Sequence, residues 1–415
     1  MRNTGSRGIR ISGVRLAVWK IPAVDLKRLI CRMLAIGVMD RYKFTKDDTK
    51  CMKGLAVLLM LAHHLWGFPD RLPSGLPMTS VTARGMEFAG FIGGYGKICV
   101  SLFMFLGGLG TYIWYEQKKS DWFAKIRGLY LSYWKVFFVF VPIGFLLKIV
   151  RRGVPQDYCA DTAVCHVFDE FHLSEFFANL VGISSAYNRE WWFFFSYLVV
   201  LATFPVIIRL IGNHSFGINL WVVCLYQILS AYVLPALLSE QYLPALGGSW
   251  LYRVLICQSA PWAACFWCGC VFAKHRMLER LRSQLDASGL LHPAAAAVVL
   301  TGIFMLRQFV AGAELDLFYV PLLCIYGTVL ADWMGMLKKM LLGLGRQSTN
   351  MWLLHSFLIY YFYDTARIIL SVRHVLLVYV LFVAASYAAA RGVDWIYGWI
   401  GRWYFHLKWI KKNHT

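Results

Sequence analysis

The chain is 415 residues long, 59% hydrophobic and only 15% charged, with a mean hydropathy of +0.55. That is too apolar for an ordinary soluble domain and points to a membrane protein. The net charge of +20 is no sign of nucleic-acid binding, because the basic residues fall in short connections between apolar windows, as the positive-inside rule describes.

Windows of about twenty apolar residues, the length that carries a helix through roughly 30 Å of hydrocarbon, recur along the chain. Lipid offers the backbone no hydrogen-bond partners, so each window is expected to be helical. The expected fold is an all-α polytopic bundle of about ten transmembrane helices. They fall near residues 52–68, 94–115, 129–150, 191–211, 217–236, 250–272, 292–312, 317–337, 348–366 and 374–397. Basic clusters in the first fifty residues, at 118–127, at Arg209, in "KHRMLERLR" from Lys274, at 338–346 and in the tail "KWIKKNH" mark the cytoplasmic side. Both termini are then cytoplasmic. The outward connections carry more acid, as at 157–175 and 314–316, although Arg151, Arg152, Arg367 and Arg373 run against the trend.

Three segments follow: a basic cytoplasmic or interfacial stretch over 1–50, a membrane domain over 51–400, and a basic cytoplasmic tail over 401–415. The longest apolar run of the first segment, "MLAIGVM", is short and precedes no small-residue cleavage site. It is expected to lie along the inner leaflet rather than to act as a signal peptide. Met39 opens an alternative beginning, "MDRYKFTKDDTK". The sequence leaves the oligomeric state open.

The first apolar window, "CMKGLAVLLMLAHHLWG", holds the chemistry. Lys53 and His64 are eleven positions apart, almost three helical turns, so both fall on one face. At 1.5 Å per residue the imidazole is about 16 Å beyond the lysine, roughly halfway through the hydrocarbon if Lys53 is near the cytoplasmic end. A titratable group at such depth usually lines a cavity. A neutral imidazole there suits general-base work, and a lysine at the mouth suits an anionic ligand. Together they indicate a phosphate-bearing cosubstrate reaching into the bilayer through a tunnel lined by both. Bland alternatives stand beside this: Lys53 as a snorkelling lysine and His63, a quarter turn away, as a packed polar residue.

The cysteines are expected to be packing residues, since most lie in apolar windows. "CFWCGC" at 265–270 lacks the second ligand pair of a strong zinc pattern, so no metal is assigned. Cys159 and Cys165 flank a short outward loop where an oxidising compartment would let them pair. In the adjoining "CHVFDEFH" a polar loop is the simpler reading than a metal site.

A basic residue, ten intervening positions and a histidine, here "KGLAVLLMLAHH", resemble the first crossing of the acyltransferase-3 family of integral membrane enzymes, which move acyl groups from coenzyme A onto sugars. The matching histidine is His64, and Lys53 stands where many members have arginine, which keeps the charge and loses the bidentate fork. "GKICVSLFMFLGGLGTYI" resembles the second crossing, with Gly107, Gly108, Leu109 and Gly110 in place of a Ser-Gly-Tyr ending, a change that keeps close helix packing and removes a hydroxyl. "KIRGLYLSYW" resembles the opening of the third, which gives Lys125 and Arg127 the role of holding coenzyme A phosphates; a cytoplasmic loop also collects such residues. "NREWWFFFSYLVVLATFP" resembles the Asn-x-x-Trp-Phe entry to a middle crossing, which makes Asn188, Trp191 and Trp192 acceptor-binding candidates, a tryptophan serving as platform for a sugar ring. "GRQSTNMWLLHSF" resembles the late Gly-x-x-Ser, aromatic, His pattern and adds Ser348, Asn350 and His355, although Ser348 and Asn350 also suit a helix cap.

The resemblance covers about residues 40 to 405 and implies an O-acetyltransferase of a bacterial cytoplasmic membrane. The resemblance further implies acetyl-CoA as cosubstrate, no permanent cofactor, and a surface polysaccharide or a lipid-linked sugar as acceptor. His64 is the expected catalytic base, with His63 beside it, acting directly or through a transient acyl-histidine. The rival reading is a carrier or flippase for a glycan lipid or small polar solute, with the histidines relaying protons. No repeat of "KGLAVLLMLAHH" supports it.

Overall fold

The computed structural model describes residues 41–82, 84–118, 123–150, 158–309 and 313–413, without the side chains of 118, 150 and 404–413. Most of the basic N-terminal segment, Met39, Arg151, Arg152, Asp157 and the tail side chains from 404 on lie outside the described residues. From Phe44 onward the chain forms one compact unit. It is helical throughout, and no strand occurs among the described residues; an isolated bridge joins Thr79 to His374.

Helix α1, Lys46–Trp66, starts earlier than hydropathy alone suggests, because Thr45 and Asp48 form a reciprocal cap. The Thr45 hydroxyl accepts from the Asp48 amide at 3.0 Å, and the Asp48 carboxylate accepts from the Thr45 amide at 2.9 Å. Helices α2 (Gly85–Gly96) and α3 (Ile98–Lys118) follow end to end, and then come α4 (Phe123–Val150) and the short α5 (Leu173–Leu180). After a tight turn at Arg189–Trp191, α6 (Trp192–Ala202) and α7 (Phe204–Ile211) follow one another with a bend of 46°. Next are α8 (Phe216–Ile228), the π-helical stretch Tyr252–Ser259, α9 (Ala260–His275), α10 (Met277–Ala287), α11 (Pro293–Phe309), α12 (Asp316–Trp333) and α13 (Gly335–Arg346). Helix α14 (Ser348–Ser356) runs into a π-helical turn, Phe357–Tyr361, and α15 (Tyr363–Leu370) and α16 (Val375–Asn413) close the fold. Helices α1 and α16 run without a break across residues 50 and 400.

Six helices among the described residues are long and apolar enough to cross a membrane, or seven counting the bent pair. Helix α1 is not one of them, because lysines and aspartates fill its first two turns. Helix α11, with 17 residues, is shorter than that measure.

Close helix contacts are made where glycine removes the side chain. A Cβ on Gly108 would run into the carbonyl of Phe266, and one on Gly269 into that of Phe105, so α3 and α9 meet backbone to backbone. The expectation of close packing at the glycine run therefore holds for Gly108. Gly54 and Gly345 seat α13 against α1 in the same way, the first under Leu341 and the second under Lys50. Cys268 and Cys270 are buried in this packing, their thiols on the carbonyls of Leu317 and Gly108.

Buried ion pairs lock the outer helices. Asp316, wholly buried, takes two bonds from Arg307, at 2.7 and 3.1 Å, and one from Ser101 at 2.6 Å. Arg282 of α10 reaches Asp48 at 3.3 Å and Thr328 at 2.6 Å, which ties the start of α1 to α12. Removing one partner of such a pair strands the other charge. Asp316→Ala is expected to cost about 3–5 kcal/mol. Asp332→Ala, at a surface pair with Lys338 where the carboxylate is 54% exposed, is expected to cost under about 1 kcal/mol. Thermal unfolding of the detergent-solubilised variants measures both, and equal losses contradict the assignment.

Candidate functional site

Helix α1 stops two residues after His64, where the Gly67 amide bonds the His63 carbonyl at 2.8 Å. The histidines therefore occupy the last turn of the helix, because α1 ends at Trp66 with Gly67 as its cap. Pro69 turns the chain through Pro69–Arg71 and brings Arg71 back toward the rings. Helix α2 approaches closely enough at Gly96 that a Cβ there would meet the Leu59 carbonyl and His63.

The hydrogen bonds assign the tautomers of two rings. The His63 Nδ1 is 2.7 Å from the Gly93 carbonyl and the His355 Nδ1 is 2.8 Å from the Trp352 carbonyl. A carbonyl only accepts, so each Nδ1 carries the proton and, in a neutral ring, each Nε2 keeps a lone pair. His64 lies between them, its ring centroid 5.2 Å from that of His63 and 4.7 Å from that of His355. The His64 Nδ1 and the His355 Nε2 are both buried and make no hydrogen bond among the described residues. Phe68 stacks on His64 at 5.7 Å, and the Tyr360 hydroxyl donates to the His64 carbonyl.

These groups open on a cavity of about 320 Å³. His63 and His64 line it with Arg71, Lys97, Arg189 and Glu190, and Phe68, Trp192 and Trp352 supply apolar wall. Glu190 is 3% exposed and fully engaged, by Arg71 at 2.8 Å and by the Tyr361 hydroxyl at 3.0 Å. Asp161 pairs with Arg189 and stands 3.5 Å from Arg71. Two carboxylates thus answer two arginines, and Lys97 makes no ion pair among the described residues. The wall carries one net positive charge beside two imidazoles, which suits a ligand that is negative or becomes so during reaction.

Of the residues singled out in the sequence, His63, His64 and Trp192 line this cavity. His355, wholly buried, backs His64. Asn188 and Trp191 do not line it: the Asn188 carbonyl oxygen accepts from Ser356 at 2.9 Å and from the Glu190 amide at 3.1 Å, and the Trp191 indole donates to Leu353 at 2.8 Å. Both brace α14, the helix that carries His355, against the Arg189–Glu190 turn.

Ser348 is buried at the far end of α14, and Asn350 donates to Asp394 of α16 at 3.0 Å. Neither caps α14, whose start after Gln347 has no side-chain cap. Lys53 and Lys125 lie within electrostatic range of each other, Lys125 is 5.6 Å from the Trp114 ring, and Arg127 is exposed nearby in the first turns of α4. None of the three lines the histidine cavity. Lys53, Val57, Met60 and His64 fall on one face of α1; Met60 lines the histidine cavity, Val57 is buried, and Lys53 is not among the residues that line the cavity.

Sequence reading missed Arg71, Lys97, Arg189, Glu190 and Tyr361. The available signal was an acid within "NREWW" and an arginine within "PDRLP" one turn beyond the helix, charges that apolar surroundings admit only in pairs. The loop thiols Cys159 and Cys165 stand 3.0 Å apart, joined by a hydrogen bond and not by a disulfide, and the neighbouring His166 pairs with Asp169 at 2.6 Å.

No curated protein and no solved structure matches the chain. The sequence model of the acyltransferase-3 family, described as an acyltransferase domain, matches residues 48–391, which span the histidine cavity and every helix around it. A multi-pass arrangement of apolar helices accompanies the match. The chain belongs to the acyltransferase-3 family.

Proposed function

We propose that the protein is an acetyl-CoA-dependent O-acetyltransferase of a bacterial cytoplasmic membrane, crossing it about ten times with both termini inside. Its acceptor is a hydroxyl of a surface polysaccharide or of its lipid-linked precursor. The observation that carries this reading is the walled cavity in which two neighbouring imidazoles meet an excess positive charge.

In this scheme Lys53 and Lys125, with Arg127 beside them, receive the nucleotide phosphates at the start of the bundle. The pantetheine arm follows the α1 face from Lys53 to His64 and displaces the Met60 side chain, an unbranched thioether that changes rotamer readily. His64 takes the proton of the acceptor hydroxyl as its oxygen attacks the thioester carbon. The C–O bond forms, the C–S bond breaks, and the leaving thiolate takes the proton back from the imidazolium. The carbonyl oxygen, negative in the tetrahedral intermediate, is met by Arg71 and Lys97. His63, with Nδ1 committed to Gly93, offers its Nε2 lone pair to orient the hydroxyl. His355 holds the His64 ring from behind.

Membranes containing the protein, given acetyl-CoA and a glycan acceptor, are expected to release free thiol. His64→Ala is expected to slow that release by a factor on the order of 10² to 10⁴. Release unaffected by the substitution removes the base, and solute movement without acyl chemistry indicates a carrier. Lys53→Ala is expected to raise the KM for acetyl-CoA by roughly tenfold or more, the loss of one charge-assisted bond, with kcat little changed. Lys53→Arg is expected to restore it, and a KM that stays put under Lys53→Ala takes the lysine out of donor binding.

A further inference from the structure

A second hollow, about 570 Å³, adjoins the histidine cavity and shares Trp192 and Arg189 with it as a common wall. Its lining combines aromatic faces with polar tips. Trp192, Phe195 and Trp250 give flat apolar surface, the last two rings meeting edge to face at 5.5 Å. Ser185 comes from the loop after α5 and Gln258 from the π-helical stretch Tyr252–Ser259, a local geometry that recurs at functional positions. The side chains of Ser185 and Gln258 and the indole N–H groups of Trp192 and Trp250 make no hydrogen bond among the described residues. The Arg189 side chain bonds Asp161 through one nitrogen and is 41% exposed.

The loop wall is preformed. Gly182, at φ +81°, takes a left-handed turn directly over Phe194, where a Cβ would collide with the ring. Ser184 bonds Glu175 and fixes the segment that carries Ser185.

Amide, hydroxyl and indole donors that face open space around aromatic rings are poor lining for a lipid tail, which gives them nothing to bond. They fit a molecule with one apolar face and a rim of hydroxyls, and the volume lies in the ordinary range for small-ligand sites. The one arginine is too little charge for a nucleotide diphosphate, whose cations stand elsewhere in the bundle, at Lys53 and Lys125.

We infer that this second hollow is the acceptor subsite. A sugar ring lies between Trp192 and Trp250, its hydroxyls on Gln258, Ser185 and Arg189, and presents one hydroxyl past Trp192 to the histidine cavity. The inference rests on the acyltransfer reading above and gives it a place for the acceptor separate from the donor.

The test uses the full chain in lipid nanodiscs with acetyl-CoA and, as acceptors, the methyl glycosides of a hexose, an N-acetylhexosamine and a hexuronic acid, following free thiol against acceptor concentration. Trp250→Ala and Gln258→Leu are expected to raise the acceptor KM at least tenfold and to leave the KM for acetyl-CoA within twofold, while Trp250→Phe retains most of the acceptor affinity. An acceptor KM unmoved by both substitutions, or an equal rise in the KM for acetyl-CoA, overturns the subsite and leaves the acyltransfer reading intact. Absence of thiol release by the unsubstituted protein with every glycoside overturns the acyltransfer reading and the subsite with it.

Discussion

A buried imidazole is held by the partners its ring nitrogens find, and the arrangement around the end of α1 gives His63 and His355 one carbonyl each. The Gly93 carbonyl fixes one ring and the Trp352 carbonyl another, while His64 between them stands against His355 with its Nδ1 buried. Each fixing group comes from a different element, so the site exists only when α1, α2 and α14 are docked together. The glycine contacts make that docking close: Gly93 and Gly96 bring α2 onto the final turns of α1, and Gly54 and Gly345 bring α13 onto its first turns. A side chain at these positions would part the helices and separate the Gly93 carbonyl from His63.

Charge is handled by the same rule. Arginines and carboxylates inside an apolar bundle are costly alone, and here they come in sets that tie distant segments together. Arg307 with Asp316 joins α11 to α12, and Arg282 with Asp48 joins α10 to α1. Arg71, Glu190, Asp161 and Arg189 close the wall of the histidine cavity. The first two sets are structural, while the third leaves Lys97 as surplus positive charge beside the imidazoles. That surplus gives a walled cavity the means to stabilise a developing oxyanion.

The helical architecture was legible because lipid permits few alternatives to apolar helices, and hydropathy located most of them to within a few residues. The beginning of α1 was misplaced because a cap, Thr45 with Asp48, outweighed the polarity of the first turns. His64 was legible from its spacing to Lys53 and its apolar neighbours. Arg71 and Glu190 were not, because their meaning lies in a contact between residues 119 apart in sequence. Asn188 and Trp191, which stand out through a pattern, hydrogen-bond the helix behind His355, and Trp191 also lines the second hollow. Helical periodicity puts Lys53 and His64 on one face of α1, but it carries no information about how far the cavity at His64 extends toward Lys53, where Met60 lines it and Val57 is buried.

The stretch of α1 between Lys53 and the cavity makes the path of the donor the point on which the account turns. An experimental structure with a non-hydrolysable thioether analogue of acetyl-CoA tests it most directly. The account predicts the acyl carbon in the cavity of His63 and His64, with the acceptor oxygen's position about 3–3.5 Å away, the pantetheine arm along Val57 and Met60, and the phosphates at Lys53 and Lys125. An analogue seated away from α1, with the histidine cavity unchanged, contradicts it.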